Sequence, residues 1–409
     1  MFGYDTANRC TSLTLPNNIL VEYAYGSAST VTSITYKQNG TTVIGDLTYE
    51  YDKAGNRTKI AGSWARTGMP EPITTTSYDT DNRQLTFGDK MLAYDDNGNL
   101  QSITDSNGTT LYGWNARNQL VGISGPSVNA SFVYDGLGRR QKKTINGSLT
   151  EFLYDGLNPV QETSGATILA NILPGLGIDE FLTRTDVVAG ATSNFLTDAL
   201  GSPIAATDNA GVVQTEYTYE PFGTTIYSGS SNTSSYQYTG RENDGTELFY
   251  YRNRYYHPHL QRFVSEDPIE FNGGEVNLFT YVTNSPSTFR DPHGLLPGWD
   301  EPLRGFPPLH SCLEEPWNCP YDHPPTPNEQ KYSKPNKPKD PPTDPWPGNK
   351  CPNGAIACTI RGRPFSDGKP KTHPNHRDTN PSDPKKQADR QLTIEEILKD
   401  PEKWPDARR

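Results

Sequence analysis

One short unit recurs along the first 160 residues and limits what this chain can fold into. Tyr4-Asp5-Thr6-Ala7-Asn8-Arg9, Tyr51-Asp52-Lys53-Ala54-Gly55-Asn56-Arg57, Tyr78-Asp79-Thr80-Asp81-Asn82-Arg83 and Tyr94-Asp95-Asp96-Asn97-Gly98-Asn99-Leu100 are variants of it. Tyr112-Gly113-Trp114-Asn115-Ala116-Arg117-Asn118 is a degenerate copy, and Tyr134-Asp135-Gly136-Leu137-Gly138-Arg139 and Tyr154-Asp155-Gly156-Leu157-Asn158 continue the series. Neighbouring copies cluster at a spacing of about twenty residues. In each, a strand ends at Tyr, the following segment supplies a turn tolerant of positive φ, and a second strand begins. A lone hairpin buries too little surface to be stable, so the copies must lie edge to edge in a continuous sheet. A Tyr-Asp pair that recurs at every turn is structural rather than catalytic.

Composition agrees with repetitive β-structure. Tyrosine (23) and glycine (36) are abundant and the hydrophobic share is only 33%, a profile of tyrosine-lined strands and glycine turns rather than packed helices. The length of 409 residues allows two or three domains. A net charge of −11 argues against a nucleic-acid binder over the chain as a whole. Met1-Phe2-Gly3-Tyr4-Asp5 carries neither a basic nor an apolar leader region, and no run of about 18 apolar residues could span a membrane. Export therefore calls for a carrier or an upstream part.

The chain changes character after Leu295. Residues 296–409 hold 23 of the 35 prolines and a nearly balanced 18 basic against 17 acidic side chains, leaving 19 against 31 for residues 1–295. An acidic container and a neutral-to-basic cargo would divide in this way. Pro324–Pro347 reads as an extended, polyproline-like linker, and Thr393-Ile394-Glu395-Glu396 as a capping box opening a short helix, Thr393–Lys399. Cys312, Cys319, Cys351 and Cys358 form two x6 pairs that suit disulfides, with local pairing favoured among three connectivities. Zinc is the rival, but x6 is not the usual knuckle spacing, so no metal is assigned; Cys10 is left as an ordinary thiol. His373, His376 and Arg377 could serve a nuclease, with His as base and Arg on phosphate, or could be solvated loop residues.

Between repeats and tail lies the densest stretch, Gly240 to Leu295. Phe249, Tyr250, Tyr251, Tyr255, Tyr256 and Phe263 crowd into it beside Asp267-Pro268, Asp291-Pro292 and Gly273-Gly274. Glu247–Tyr251 and Arg254–Val264 suit strands broken at His257-Pro258, and the aromatics suit a pleated core. An Asp-Pro pair alone is ordinarily a turn.

The order YYRNRYY, RFVSEDPI, GG, NLFTYVTNSP, RDPHGL resembles the core motif of the Rhs (rearrangement hotspot) and YD-repeat proteins. Phe195–Pro203 with Thr207-Asp208 and Tyr217–Gly223 resembles that family's segment just upstream; Ala166–Phe195 leaves a strand pair or a short helix open. The resemblance implies an all-β fold in which YD-repeat hairpins form part of a spiralling shell, followed by a Pro-rich, largely irregular tail with one short helix. It also implies an aspartyl autoprotease: Asp267 and Asp291 as the catalytic pair, Leu295-Leu296 as the scissile bond, and Arg262 and Arg290 as candidates to tune the acids. Two close carboxylates cannot easily both ionise, so one retains a proton for the oxyanion while the other activates water. Glu270 and His257 depart from the family pattern, and Glu270 adds a third carboxylate near the site.

The expected organisation is a YD-repeat segment at 1–160, a β-rich segment at 161–239, the core at 240–295 and a variable tail, a toxin or effector, at 296–409. The expected product is the C-terminal part of a bacterial polymorphic toxin, secreted or delivered by a carrier, whose shell holds an effector released by cleavage. Its partners would be upstream repeats of a longer shell, since too few copies are present to close one, and a cognate immunity protein. Nucleic acid enters only if the tail is a nuclease, and no cofactor is implied. The alternatives are a non-enzymatic adhesion repeat protein and a truncated shell fragment.

Overall fold

The structure is a computed structural model that describes residues 1–73, 75–230 and 232–295, together with the short strands Thr359–Ile360 and Arg363–Pro364, which pair with each other. Cys312, Cys319, Cys351, Cys358, His373, His376, Arg377, Leu296, the linker and the tail helix lie outside the described residues. Among the described residues within 1–295 the regular elements are β-strands and short 3-10 helices, joined by turns and irregular segments.

Six strands from Phe2–Tyr4 to Arg57–Ala61 form one antiparallel sheet, and sixteen from Thr76–Tyr78 to Thr225–Gly229 form a second, each strand beside its sequence neighbours. The repeat unit explains this order. In the Asp135 copy the carboxylate Oδ1 accepts the N–H groups of Leu137 and Arg139, both at 2.9 Å, and the Asp135 carbonyl accepts the Gly138 N–H at 3.0 Å. Gly138 has φ +81°, and the equivalent Asn8, Gly55, Asn82, Gly98 and Asn118 are also left-handed. Such a turn needs a Gly or Asn there, and it throws a bulge into the returning strand, as at Val133/Tyr134.

The tyrosine has a second task. Tyr134 donates its hydroxyl to the Leu120 carbonyl (2.6 Å), Tyr154 to Arg140 (2.9 Å), Tyr25 to Cys10 (2.7 Å) and Tyr219 to Pro203 (2.6 Å), and Trp114 Nε1 reaches Leu100 in the same manner (2.8 Å). Each ring thus ties its own hairpin to the first residue after the preceding turn. The Tyr154 copy differs in its turn: Asp155 pairs with Asn158 around Gly156-Leu157. Its glycine sits two positions after Tyr154, takes φ +57° there, and closes a shorter hairpin. Ala166–Phe195 contains neither a helix nor a single strand pair. Thr167–Pro174, Phe181–Asp186 and Ala191–Thr197 are three successive strands.

The chain curls so that distant repeats meet. Leu13, Val21, Ile34, Tyr36 and Leu47 of the first sheet share a core with Leu196, Ala199 and Ala205, and Tyr36 donates to the Thr197 carbonyl at 2.6 Å. The connection between the sheets is stitched down by Arg66–Glu216 (2.5 Å) and by the Gly68 N–H on the Tyr219 carbonyl (2.9 Å).

A third sheet, Glu242–Asn243, Phe249–Tyr251, Arg254–His257 and Arg262–Phe263, fills the curl. Alternation sends Tyr250 and Tyr255 to one face, against Leu100, Leu120, Ile123 and Phe132. Phe249, Tyr251 and Tyr256 take the other, against Phe181, Phe195, Tyr219 and Tyr281. Buried on both sides by one curled sheet, these strands require aromatics at nearly every position. At its first strand the sheet meets the wall through charges: Arg140 and Lys143 meet Glu242 and Asp244, with Lys143 Nζ 3.2 Å from Glu242 and 3.0 Å from Asp244.

Candidate active site

Two aspartates far apart in sequence converge on a buried cation, Arg254. This residue opens the strand Arg254–His257 after the two-residue turn Arg252-Asn253. Its guanidinium lies 3.6 Å over the Phe263 ring, and Nη2 is 2.9 Å from Asp267 Oδ2 and 3.5 Å from Asp291 Oδ2. The remaining donors go to the carbonyls of Gly294 (2.5 Å) and Leu278 (3.1 Å). Arg254, Asp267 and Asp291 are all buried.

Asp267 begins a turn in which Oδ1 accepts the Ile269 N–H at 3.0 Å and the carbonyl accepts the Glu270 N–H at 2.9 Å, with Pro268 presetting φ between them. The 3-10 turn Glu270–Gly273 then folds back over the carboxylate. A Cβ placed on Gly273 would lie 2.9 Å from Asp267 Oδ2 and 3.3 Å from the Leu295 carbonyl oxygen, so the missing side chain leaves room for those two oxygens to face one cleft. Arg254, Asp267, Gly273, Asp291 and Leu295 line it, with exposed Glu270 at its mouth.

Burial pushes the Asp267 carboxyl above its ordinary value, against the opposing pull of Arg254 and the Ile269 N–H. Burial also lowers the Arg254 guanidinium, against the attraction of Asp291 and Asp267. The site therefore holds one acid biased toward keeping its proton beside a second that accepts the Leu295 N–H on Oδ1 at 3.0 Å.

The other residues singled out by sequence lie in different surroundings. Arg262 donates to the Asn82 carbonyl at 2.8 Å and to Asn277 Oδ1 at 3.4 Å, between the rings of Tyr78 and Phe279. Arg290 lines a separate cleft with Asp179, Glu180 and Asp198. His257 is fully buried, accepting the Leu260 N–H on Nδ1 at 3.4 Å, with Nε2 3.6 Å from Glu247. Cys10 is a free, buried thiol, pushed up to about 11 by burial. Arg254 is not among the site residues expected from sequence, and Gly273 is expected there only as half of a Gly-Gly turn. Arg254 stands in the YYRNRYY run, and a cation entering an aromatic core between two Asp-Pro pairs is the signal that could have found it.

A family profile described as Teneurin YD-shell matches residues 1–287. The chain is 28% identical over 282 residues to the tRNA3(Ser)-specific nuclease WapA of Bacillus spizizenii, covering 66% of this chain and 12% of that protein. It is 30% identical over 295 residues to the toxin subunit YenC1 of Yersinia entomophaga, covering 63% and 30%. Among solved structures, the Photorhabdus luminescens Tc holotoxin pore superposes with a TM-score of 0.55 at 19% identity, over 73% of this chain and 19% of that one, a likeness of fold. The chain thus spans less than a third of the length of these relatives. Its repeat turns, its curled sheet and the matched residues make one conclusion: the chain belongs to the Teneurin YD-shell family.

Proposed function

We propose that this chain is the closing part of a toxin shell that cuts itself after Leu295 and so releases the residues that follow. The observation that carries this reading is the cleft in which the Leu295 carbonyl oxygen and Asp267 Oδ2 flank Gly273 while Asp291 holds the Leu295 N–H. Asp291 orients and deprotonates a water, whose oxygen bonds to the Leu295 carbonyl carbon. Asp267, whose carboxyl burial biases toward the protonated form, donates to the developing oxyanion. The tetrahedral intermediate collapses with rupture of the C–N bond to Leu296, whose nitrogen takes a proton from the pair as it leaves. Arg254 holds the two carboxylates in register through both steps.

The released tail would act as an effector in a target cell after delivery by a carrier, with upstream repeats completing the shell and an immunity protein guarding the producer. Relatives whose names specify toxins or nucleases support this reading. The test is the intact mass of the purified chain beside Asp267→Asn and Asp291→Asn. Two fragments meeting at Leu295-Leu296 in the parent, and a single whole chain in both variants, are expected; a whole parent chain refutes self-cleavage.

A further inference from the structure

We infer that the shell wall supplies a working part of the cleavage centre, with Asp179 and Arg252 as positioning residues that hold the segment entering the cut. The inference rests on the self-cleavage reading. Three successive residues of the core turn hold three successive carbonyls of the segment before Leu295. Arg252 Nη1 donates to Pro292, Asn253 donates its N–H (3.3 Å) and Nδ2 (3.0 Å) to His293, and Arg254 Nε donates to Gly294 (2.5 Å). The clamp reads main chain only; His293 is an exposed residue, though burial of its imidazole still lowers it to about 4.

Arg252 does not hold this pose by itself. It takes φ +59°, the left-handed conformation that the first residue of a two-residue hairpin turn adopts. Its side chain is fixed by the wall. Asp179, in the turn between the strands Thr167–Pro174 and Phe181–Asp186, receives both terminal nitrogens of Arg252 in a fork, at 2.6 Å on Oδ1 and 2.9 Å on Oδ2. The outward N–H groups of the same plane are thereby aimed at Pro292 and at the Leu157 carbonyl, the latter at 3.2 Å in another wall turn.

Asp179 is itself fixed: its side chain is fully buried, Arg241 Nη1 is 2.5 Å from Oδ1, and its N–H donates to Asn158 Oδ1 at 2.9 Å. The line Asn158, Asp179, Arg252, Pro292 therefore runs from two wall turns to the segment whose last carbonyl is attacked. Until strands 148–186 have docked on the core, nothing orients Arg252, and the cut waits for the wall to form.

The test follows the uncut fraction of the full chain over time after cell-free translation, by intact mass, across a range of pH. Parent, Asp267→Asn, Asp179→Asn, Arg252→Gln, Arg252→Lys, Asn158→Ala and Glu162→Gln are compared. Glu162→Gln breaks another buried wall pair, with Arg184 at 2.6 Å, and controls for general loosening of the shell. Folding of each variant is checked by circular dichroism and trypsin resistance in the Asp267→Asn background.

Asp179→Asn and Arg252→Gln are expected to cut about 10²-fold more slowly at every pH, with the profile unshifted. Arg252→Lys stays closer to Gln than to Arg, because a single ammonium cannot form the fork; Asn158→Ala shows a smaller slowing, and Glu162→Gln cuts like the parent. If Asp179→Asn fails to fold, Asn158→Ala and Arg252→Lys decide, and parental rates in both overturn the inference. Folded Asp179→Asn and Arg252→Gln at parental rates, with Asp267→Asn silent, overturn it while leaving self-cleavage intact. A parent that stays whole overturns both.

Discussion

The turn at Asp135 and the turn at Asp291 share a backbone. Each runs Asp-x-x-Gly-x, with the Asp carbonyl accepting the glycine N–H (3.0 Å at Gly138, 3.3 Å at Gly294) and Oδ1 accepting the N–H of the fourth residue on (2.9 Å at Arg139, 3.0 Å at Leu295). Both glycines are left-handed, at φ +81° and +67°. The proposed cut site is thus built on the frame of a repeat turn. The two part company at the second carboxylate oxygen. Asp135 Oδ2 meets its own Arg139 Nε at 2.8 Å near the surface. Asp291 Oδ2 faces Arg254, which is shared with Asp267, inside the core. One local code yields a staple where water screens it and the proposed cleavage centre where burial and a second acid surround it.

The sharpest way to break this comparison is to neutralise each aspartate in turn. Asp291→Asn or Asp267→Asn should reduce self-cleavage by at least about 10³-fold, as expected when an acid or base is removed from a concerted pair. Asp135→Ala should leave the cut rate unchanged and cost about 1 kcal/mol of stability, because the Leu137 and Arg139 N–H groups lose their carboxylate acceptor. Time-resolved intact mass and denaturant melts read the two effects, and slowed cutting in a folded Asp135→Ala chain would show that the turns are not independent.

Next in size is Gly273→Ala. Gly273 lacks a left-handed φ, so the backbone tolerates alanine, but the new methyl would crowd Asp267 Oδ2 and the Leu295 carbonyl. About 10- to 10²-fold slower cutting is expected, with an unchanged melting temperature; parental cutting would place the reacting carbonyl elsewhere.

A pH series sharpens the electrostatic half. Asp267 is raised by burial and must carry a proton to act, so the rate should fall about tenfold per unit above its raised value. Stability shares that sign: an acid that resists ionising in the fold contributes most below its unfolded value of about 3.9 and loses that contribution as pH rises through the folded one. A rate that climbs from pH 5 to 8 would exchange the roles of the two acids. The smallest effect belongs to His293→Ala, within about twofold of parent by the same mass assay, because Asn253 reads only its carbonyl. A larger loss would make the side chain part of recognition.

Much of the shell was legible in advance because its information is local. A turn aspartate reaches only two and four residues ahead, and a left-handed position is satisfied by its own Gly or Asn, so Tyr-Asp-x-x-Gly carries strand, turn and next strand in one window. Exceptions arose where the window was altered, as at Gly156, or empty, as in residues 166–195, where chain neighbours decided between strand and helix. Asp267, Asp291 and Leu295 are named only through the resemblance to the Rhs core motif, since an Asp-Pro pair alone reads as a turn, and the structure brings them to one cleft. Arg254 could not be ranked above Arg262 or Arg290 from sequence, since all three are arginines beside aromatics or Asp-Pro. All three are buried; which guanidinium reaches the two acids depends on where the packed strands place it.

Sequence alone therefore determined an all-β chain of repeat hairpins, strand following strand, with paired aspartates in an aromatic stretch before a change in composition. Periodicity and turn chemistry act within a few residues and survive any tertiary context. Only the tertiary structure decided that the third sheet fills the curl, that Arg254 joins the two acids, and that Asp179 steadies Arg252 from 73 residues away. Those contacts exist because desolvated charges must find partners wherever the packed chain places them, and a linear motif does not encode that geometry.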